Sequence, residues 1–260
     1  MLVGNAAALQ HQHGIFGDIF ETACLFVADG NVLDQRSAAV LSALADQAAD
    51  RRRQKDAGIW ELREPQHYTM SKISAWQGLA RAVELAEAGH LPATCVPRWQ
   101  RERDRIAAWV EEHCWSETRK AYTLHPGTER LDASLALAVR FGFDGRDKLS
   151  STLDAVLEEL GRGPFLFRYS GAEQEEGAFL ACSFWMAEAL AELGRQDEAE
   201  EVFAGTIRGL PRGVGILSEM VDPESGDFLG NTPQGLSHLA LIHAACTIGG
   251  DRMRHLRAPG

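Results

Sequence analysis

Positive charge is in short supply in this sequence: 26 Lys and Arg stand against 37 Asp and Glu, leaving a formal charge of −11. Nucleic-acid binders draw their affinity chiefly from cations set against phosphates. The single basic run, Arg51 to Arg53, is too brief to form such a stripe. Long hydrophobic runs are lacking as well. No stretch approaches the roughly 18 apolar residues of a bilayer span. The opening MLVGNAAALQHQH has no charged start followed by an apolar stretch, so no secretory signal is expected. Cysteines are few and scattered. Five of them, Cys24, Cys95, Cys114, Cys182 and Cys246, without C-x-x-C spacing, suit reduced thiols in a cytoplasmic protein rather than a disulfide framework. There is no Walker loop, no dinucleotide fingerprint and no G-x-S-x-G. His11 and His13 are two apart, and His238 and His243 are five apart. Neither spacing matches the i, i+4 pair of a helical metal site, so no metal and no cofactor is expected.

What the chain does have is helical periodicity. With 45% hydrophobic and 24% charged residues over 260 positions, it can bury a sizeable core. About nine helices are expected, with almost no strand: 15–29, 34–51, 69–88, 98–113, 130–140, 149–160, 177–193, 196–208 and 234–247. Two kinds alternate. Segments 178–190 and 236–248 are apolar almost all round and suit an inner layer, whereas 34–51, 98–113, 149–160 and 196–208 carry a charged face and suit an outer one. That order predicts an all-α toroid of paired helices. Inner-to-outer connections are short, as at Gly194 and Arg195. Outer-to-inner connections are long, at 52–68, 114–129, 161–176 and 209–233. Loops of that length are usually functional or disordered. In an alternating toroid all four would emerge on one face.

Three of these loops carry candidate chemistry. In 56–72, DAGIWELREPQHYTMSK, Trp60 precedes Glu61, with Arg63, His67 and Tyr68 close behind. An indole that desolvates a carboxyl raises its pKa, as a general acid requires. By pattern alone, a surface glutamate beside a half-buried tryptophan is the commoner reading. In 165–179, Arg168 could bond sugar hydroxyls and Tyr169 could pack on a ring, while Glu175 and Glu176 read more simply as helix N-terminal acids. In 215–238, Glu219 ends an apolar stretch just before the turn Asp-Pro-Glu-Ser-Gly, where a carboxylate could activate water; alone this is a weak signal.

Taken in order, GIWELR (58–63), EEGAFLACSFW (175–185) and SEMVDPESGDFLGNTPQGLSHLAL (218–241) resemble glycoside hydrolase family 15. GNAAALQHQHGIFGDIFE, QHYTMSKISAW, RLDASLALAVRFGF and LGRQDEAEEVF extend the resemblance to the trehalase-like branch over nearly the whole chain. The resemblance implies an (α/α)6 toroid and inverting hydrolysis of α-glucosidic bonds in trehalose or in malto- or isomalto-oligosaccharides. It implies Glu61 as general acid and Glu219 as general base, with Glu176 as the rival base. It further implies substrate contacts from Trp60, Arg63, Arg168, Tyr169, Glu176 and His238. The two acting carboxyl groups should stand ~6.5–9.5 Å apart, to leave room for the attacking water.

Against the family pattern, Met1 falls just before the GNAA segment. The chain is therefore expected as a single partial catalytic domain over residues 1–260, with about nine of twelve toroid helices. The family's N-terminal β-rich domain and first barrel helices are expected to be absent. An open edge would expose inner-helix flanks, suited to self-association or to a partner chain. The competing reading is a non-catalytic remnant that binds carbohydrate or needs such a partner.

Overall fold

The computed structural model describes Ala7 and residues 10–174, 176–213 and 215–250; Glu175 and part of the GNAA segment lie outside the described residues. Among these are nine α-helices: α1 (Ile15–Ala28), α2 (Gln35–Arg51), α3 (Thr69–Glu87), α4 (Val96–His113), α5 (Leu137–Arg140), α6 (Arg146–Leu160), α7 (Leu180–Glu192), α8 (Gln196–Gly209) and α9 (Gly235–Ile248). Strands are two residues each: β1 (Trp115–Ser116), β2 (Ala121–Tyr122), β3 (Gly161–Arg162), β4 (Phe165–Leu166), β5 (Ala178–Phe179), β6 (Met220–Val221) and β7 (Phe228–Leu229). The chain groups into two compact units. One comprises Met1–Trp115, Thr123–Thr128 and Phe141–Asp144; the other comprises Ser116–Tyr122, Glu129–Arg140 and Gly145–Gly260.

The first unit is built around α3, which packs on α1, α2 and α4. Asp34 starts α2 by accepting the Ser37 N–H at 2.6 Å, and Pro97 sits in the first turn of α4, where a missing N–H costs nothing. The α1–α3 crossing is close because of Gly17. A Cβ there would come within 2.4 Å of Ser74 Oγ and 2.5 Å of Gln77 Oε1. The charged outer pair is joined by Arg52 to Glu102 at 2.6 Å, and fully buried Trp99 donates its indole N–H to Asp46 at 3.0 Å.

The second unit is built around α7, every residue of which from Leu180 to Leu190 is buried. It packs on α5, α6, α8 and α9. Two expectations are corrected here. The helix expected over 130–140 holds only for α5. Before it, extended Asp132 accepts the Ser134 N–H at 2.9 Å and starts a 3₁₀ turn, Ala133–Ala136. The helix expected from 177 begins at Leu180, because Ala178 and Phe179 pair with Val221 and Met220 in a sheet. α9, apolar almost all round, buries only Ser237, Ala240 and Ala244, and Leu239 and Ile242 are more than half exposed. In α1, Ile15, Leu25 and Phe26 are exposed likewise.

Fully buried Phe184 in α7 sets the expected scale of core energetics. Phe184→Ala should cost about 3–5 kcal/mol in urea unfolding followed by circular dichroism. Glu158→Ala on the exposed face of α6 should change stability by no more than about 0.5 kcal/mol. A Phe184 loss below that of Glu158 would contradict the assignment of α7 as the core helix.

Candidate active site

In the first unit, the long connection between α2 and α3 is fastened at several points. Asp56 and Gln66 exchange main-chain hydrogen bonds at 3.0 and 2.9 Å, closing residues 57–65 into a loop. The Asp56 carboxylate is buried. Its Oδ2 accepts the His13 N–H at 2.9 Å and the Ser71 hydroxyl at 2.7 Å. Lys72, also buried, donates its ammonium to the carbonyls of Arg52 at 2.9 Å and Gln54 at 2.6 Å, covering the acceptors that follow α2. Burial pushes its pKa down to about 8, against the opposing pull of Asp56. The Tyr68 hydroxyl donates to the Glu64 carbonyl at 2.7 Å.

This frame presents Trp60 and Glu61 differently. Trp60 turns inward and is buried, while Glu61 is exposed, with φ at 55°. A non-glycine residue rarely occupies the left-handed region, and it stays there only when its surroundings over-determine it. Here the Leu62 N–H reaches the Ala57 carbonyl at 2.8 Å, and the amide of Gln12 donates to Glu61 Oε1 at 3.1 Å. The indole is thus a buried anchor beneath the turn, and the expected burial of the Glu61 carboxyl against it is not found. Arg63 is exposed on the same loop.

In the second unit, β5, β6 and β7 form an antiparallel sheet that joins the loop after α6 to the loop after α8 at the start of α7. Glu219 immediately precedes β6. Its carbonyl accepts the Leu180 N–H at 3.1 Å and its N–H donates to the Asn231 carbonyl at 2.9 Å, so its backbone is held from both sides. Its carboxylate Oε2 accepts two bonds from Asn231, the main-chain N–H at 3.1 Å and the side-chain amide at 2.9 Å. Gly230 makes that approach possible: its φ is +72°, and a Cβ there would lie 2.8 Å from Oε2. The Asp222 carboxylate accepts the N–H groups of Glu224 at 2.8 Å and Ser225 at 3.2 Å, the turn that Asp-Pro-Glu-Ser-Gly foretold.

Arg168 and Glu176 meet in a bidentate pair, Nε to Oε1 at 2.5 Å and Nη2 to Oε2. Burial works against the guanidinium charge, but the bonds and charge of Glu176 outweigh it and raise the Arg168 pKa. The same guanidinium lies over Phe179 at 5.5 Å and Tyr169 at 5.8 Å, a cation–π arrangement. His238 is held at both ring nitrogens. Nε2 accepts the Leu217 N–H at 3.2 Å and Nδ1 donates to the Gln234 carbonyl at 2.7 Å, which fixes the loop onto the first turn of α9. Among the described residues no group of three or more His, Cys, Asp or Glu could hold a metal ion, and no helix is long and apolar enough to cross a membrane.

Residues 1–209 match the family described as glycosyl hydrolases family 15. The chain belongs to this family. It is 35% identical over 251 residues to a trehalase of Mycobacterium tuberculosis and 33% identical to one of Mycolicibacterium smegmatis. The matches cover 93% of this chain but 36% and 37% of the relatives. The chain therefore spans about a third of the length of these curated relatives. Among solved structures, a wild-type glycosidase superposes with a TM-score of 0.82 at 18% identity, covering 95% of this chain and 70% of that one. A bacterial glucoamylase complexed with acarbose gives 0.69 at 19% identity, covering 91% and 41%. At such identities the likeness speaks for fold alone, and that fold is the all-α (α/α)6 class.

Of the family 15 residues named from the sequence, Trp60, Glu61 and Arg63 fall in the first unit. Arg168, Tyr169, Glu176, Glu219 and His238 fall in the second. Within the second unit, Arg168, Tyr169 and Glu176 come together. Sequence reasoning overlooked Asp56, Lys72, Gln12 and Asn231. Nothing local marks Asp56 or Lys72, whereas the alternating Gln-His-Gln-His could have been read as an extended strap with both glutamines on one side.

Lys72 gives a pH test of this frame. Its folded pKa, about 8, lies below the ordinary 10.5, so between those values the unfolded chain binds more protons and stability should rise with pH. Urea unfolding of the native chain and of Lys72→Met at pH 7.5 and pH 10 should show the native chain gaining on the variant at the higher pH. A constant difference would mean that the ammonium is not desolvated.

Proposed function

We propose that this chain carries the acid–base pair of an inverting glycoside hydrolase that cleaves α-glucosidic bonds, with trehalose as first candidate and malto- or isomalto-oligosaccharides next. The conformation of Glu61 carries the reading: a carboxylic acid held in a sparsely populated backbone region, presented to solvent and gripped by its neighbours. Strain of that kind concentrates at working sites. The likeness to trehalases favours trehalose as substrate. Glu61 protonates the departing glycosidic oxygen, and Glu219 takes a proton from the water that attacks the opposite face of the anomeric carbon. Tyr169, with Arg168 held against it, offers a flat surface for a sugar ring, and Trp60 and Arg63 flank the acid.

A second reading has its own support. The exposed apolar flanks of α1 and α9 suit a chain that works only against a partner surface or another copy of itself, or that has kept sugar binding without turnover.

Glucose release from trehalose, maltose and isomaltose separates the two. Under the hydrolase reading, Glu61→Gln and Glu219→Gln each lower turnover by at least ~10²-fold, since each removes a proton-transfer step. Proton NMR of the first products from trehalose should show equal β- and α-glucose, because a single displacement inverts the attacked centre while the departing glucose keeps its own α centre. Initial α-glucose with no β-glucose from trehalose would sink the inverting mechanism. Unchanged turnover in either variant would show that the carboxyl was wrongly chosen.

A further inference from the structure

Four consecutive residues just before α1 contribute five hydrogen bonds to the loop that bears Glu61. The Gln10 side-chain amide donates to the carbonyls of Glu61 at 3.2 Å and Leu62 at 3.4 Å. The His11 carbonyl accepts the Ala57 N–H at 2.9 Å. The Gln12 amide donates to Glu61 Oε1 at 3.1 Å, and the His13 N–H donates to the buried Asp56 carboxylate at 2.9 Å. Residues 10–12 belong to no helix or strand. Their alternation sends both glutamine side chains to the loop while the main chain between them takes the loop's own N–H. His13 is buried, so the strap is anchored at its C-terminal end.

We infer that Gln12 is a positioning residue for the general acid, fixing which oxygen of Glu61 carries the transferable proton. The assignment rests on the reading of Glu61 as that acid. A carboxylic acid has one carbonyl oxygen, which accepts, and one hydroxyl oxygen, which donates. With the Gln12 amide donating to Oε1, Oε1 is the accepting oxygen and the proton belongs on Oε2. Gln10 supplies the second half of the device. By holding two successive carbonyls it keeps the Glu61 backbone in its left-handed conformation, so the carboxyl cannot swing away when the proton leaves. A neutral amide does this without adding a full charge beside a group that must cycle between acid and anion.

The proposal separates proton delivery from general structural support. Gln12→Met keeps the side-chain length and removes the donor. It should lower kcat on trehalose by about tenfold, the loss expected for one hydrogen bond to an ionisable group. On α-glucosyl fluoride, whose leaving group departs as an anion, the loss should shrink to less than about twofold. Glu61→Gln should show the same pattern, larger on trehalose. Equal losses on both substrates for Gln12→Met, or none on either, would overturn the positioning role. If Glu61→Gln itself loses equally on both, it is the general-acid reading that falls. A measurement independent of turnover judges the contact. In ¹⁵N-edited NMR the Gln12 side-chain amide signals should move as the protein is acidified, and should cease to do so in Glu61→Gln. Signals indifferent to acid in the native chain overturn the proposal whatever the kinetics show.

Discussion

The buried polar face at the start of α3 is the constraint on which the loop bearing Glu61 depends. An inner helix of this fold could be wholly apolar, and α7 nearly is. The start of α3 instead buries Thr69, Ser71, Lys72 and Ser74, and each reaches out of its helix to a loop. Thr69 donates to the Thr123 carbonyl at 2.6 Å, Ser71 to Asp56 at 2.7 Å, Lys72 to the carbonyls of Arg52 and Gln54, and Ser74 to the Gly14 carbonyl at 2.5 Å. Buried polar groups without partners cost several times what a satisfied one contributes, so each of these groups demands its loop in one place. The long loop is rigid where it leaves α2 and where it enters α3, and the strain at Glu61 can persist only because both ends are fixed.

The second unit reaches a comparable result by different means. α7 is apolar almost throughout, so it offers few side chains with which to hold a loop. The main chain does the work. β5, directly before α7, pairs with β6, and the carbonyl of Glu219 caps the helix by accepting the Leu180 N–H. The residue that bears the carboxylate is therefore part of the helix start, and Ser237 and His238 tie the same loop to α9.

How much of this could be read in the sequence follows from range. The helices were legible because their apolar spacing is a local property. α9 looked like a core helix because its composition is apolar all round, but composition does not say which flanks find neighbours. Glu61 and Glu219 are singled out by the motifs around them, and the Asp-Pro-Glu-Ser-Gly turn is legible through its own residues. Asp56, Lys72 and Asn231 were not. Their importance lies in partners 12 to 43 residues away, such as His13 for Asp56 and Glu219 for Asn231, and no spacing rule connects them. The extra start of the helix expected from 177 failed for a related reason. Ala178 and Phe179 suit a helix locally, and a strand some forty residues later claims them.

The nature of each carboxylate's partner also separates the three glutamates that competed for roles. Glu176 is gripped by a guanidinium at both oxygens, a charge-assisted bidentate pair that is strong, directional and satisfied only while the carboxylate remains an anion. Such a group is well placed to stiffen a loop and to hold Arg168 against Tyr169, and poorly placed to accept a proton. Glu219 accepts neutral amides instead, the main-chain and side-chain N–H of Asn231, and Glu61 has the Gln12 amide among its partners. An amide orients an oxygen without placing a full cation beside it, and so leaves the group able to change its charge. Catalysis by proton transfer needs both properties at once: a fixed direction and an unfixed proton. That combination favours Glu219 over Glu176 as the base, on grounds that owe nothing to the order of motifs along the chain.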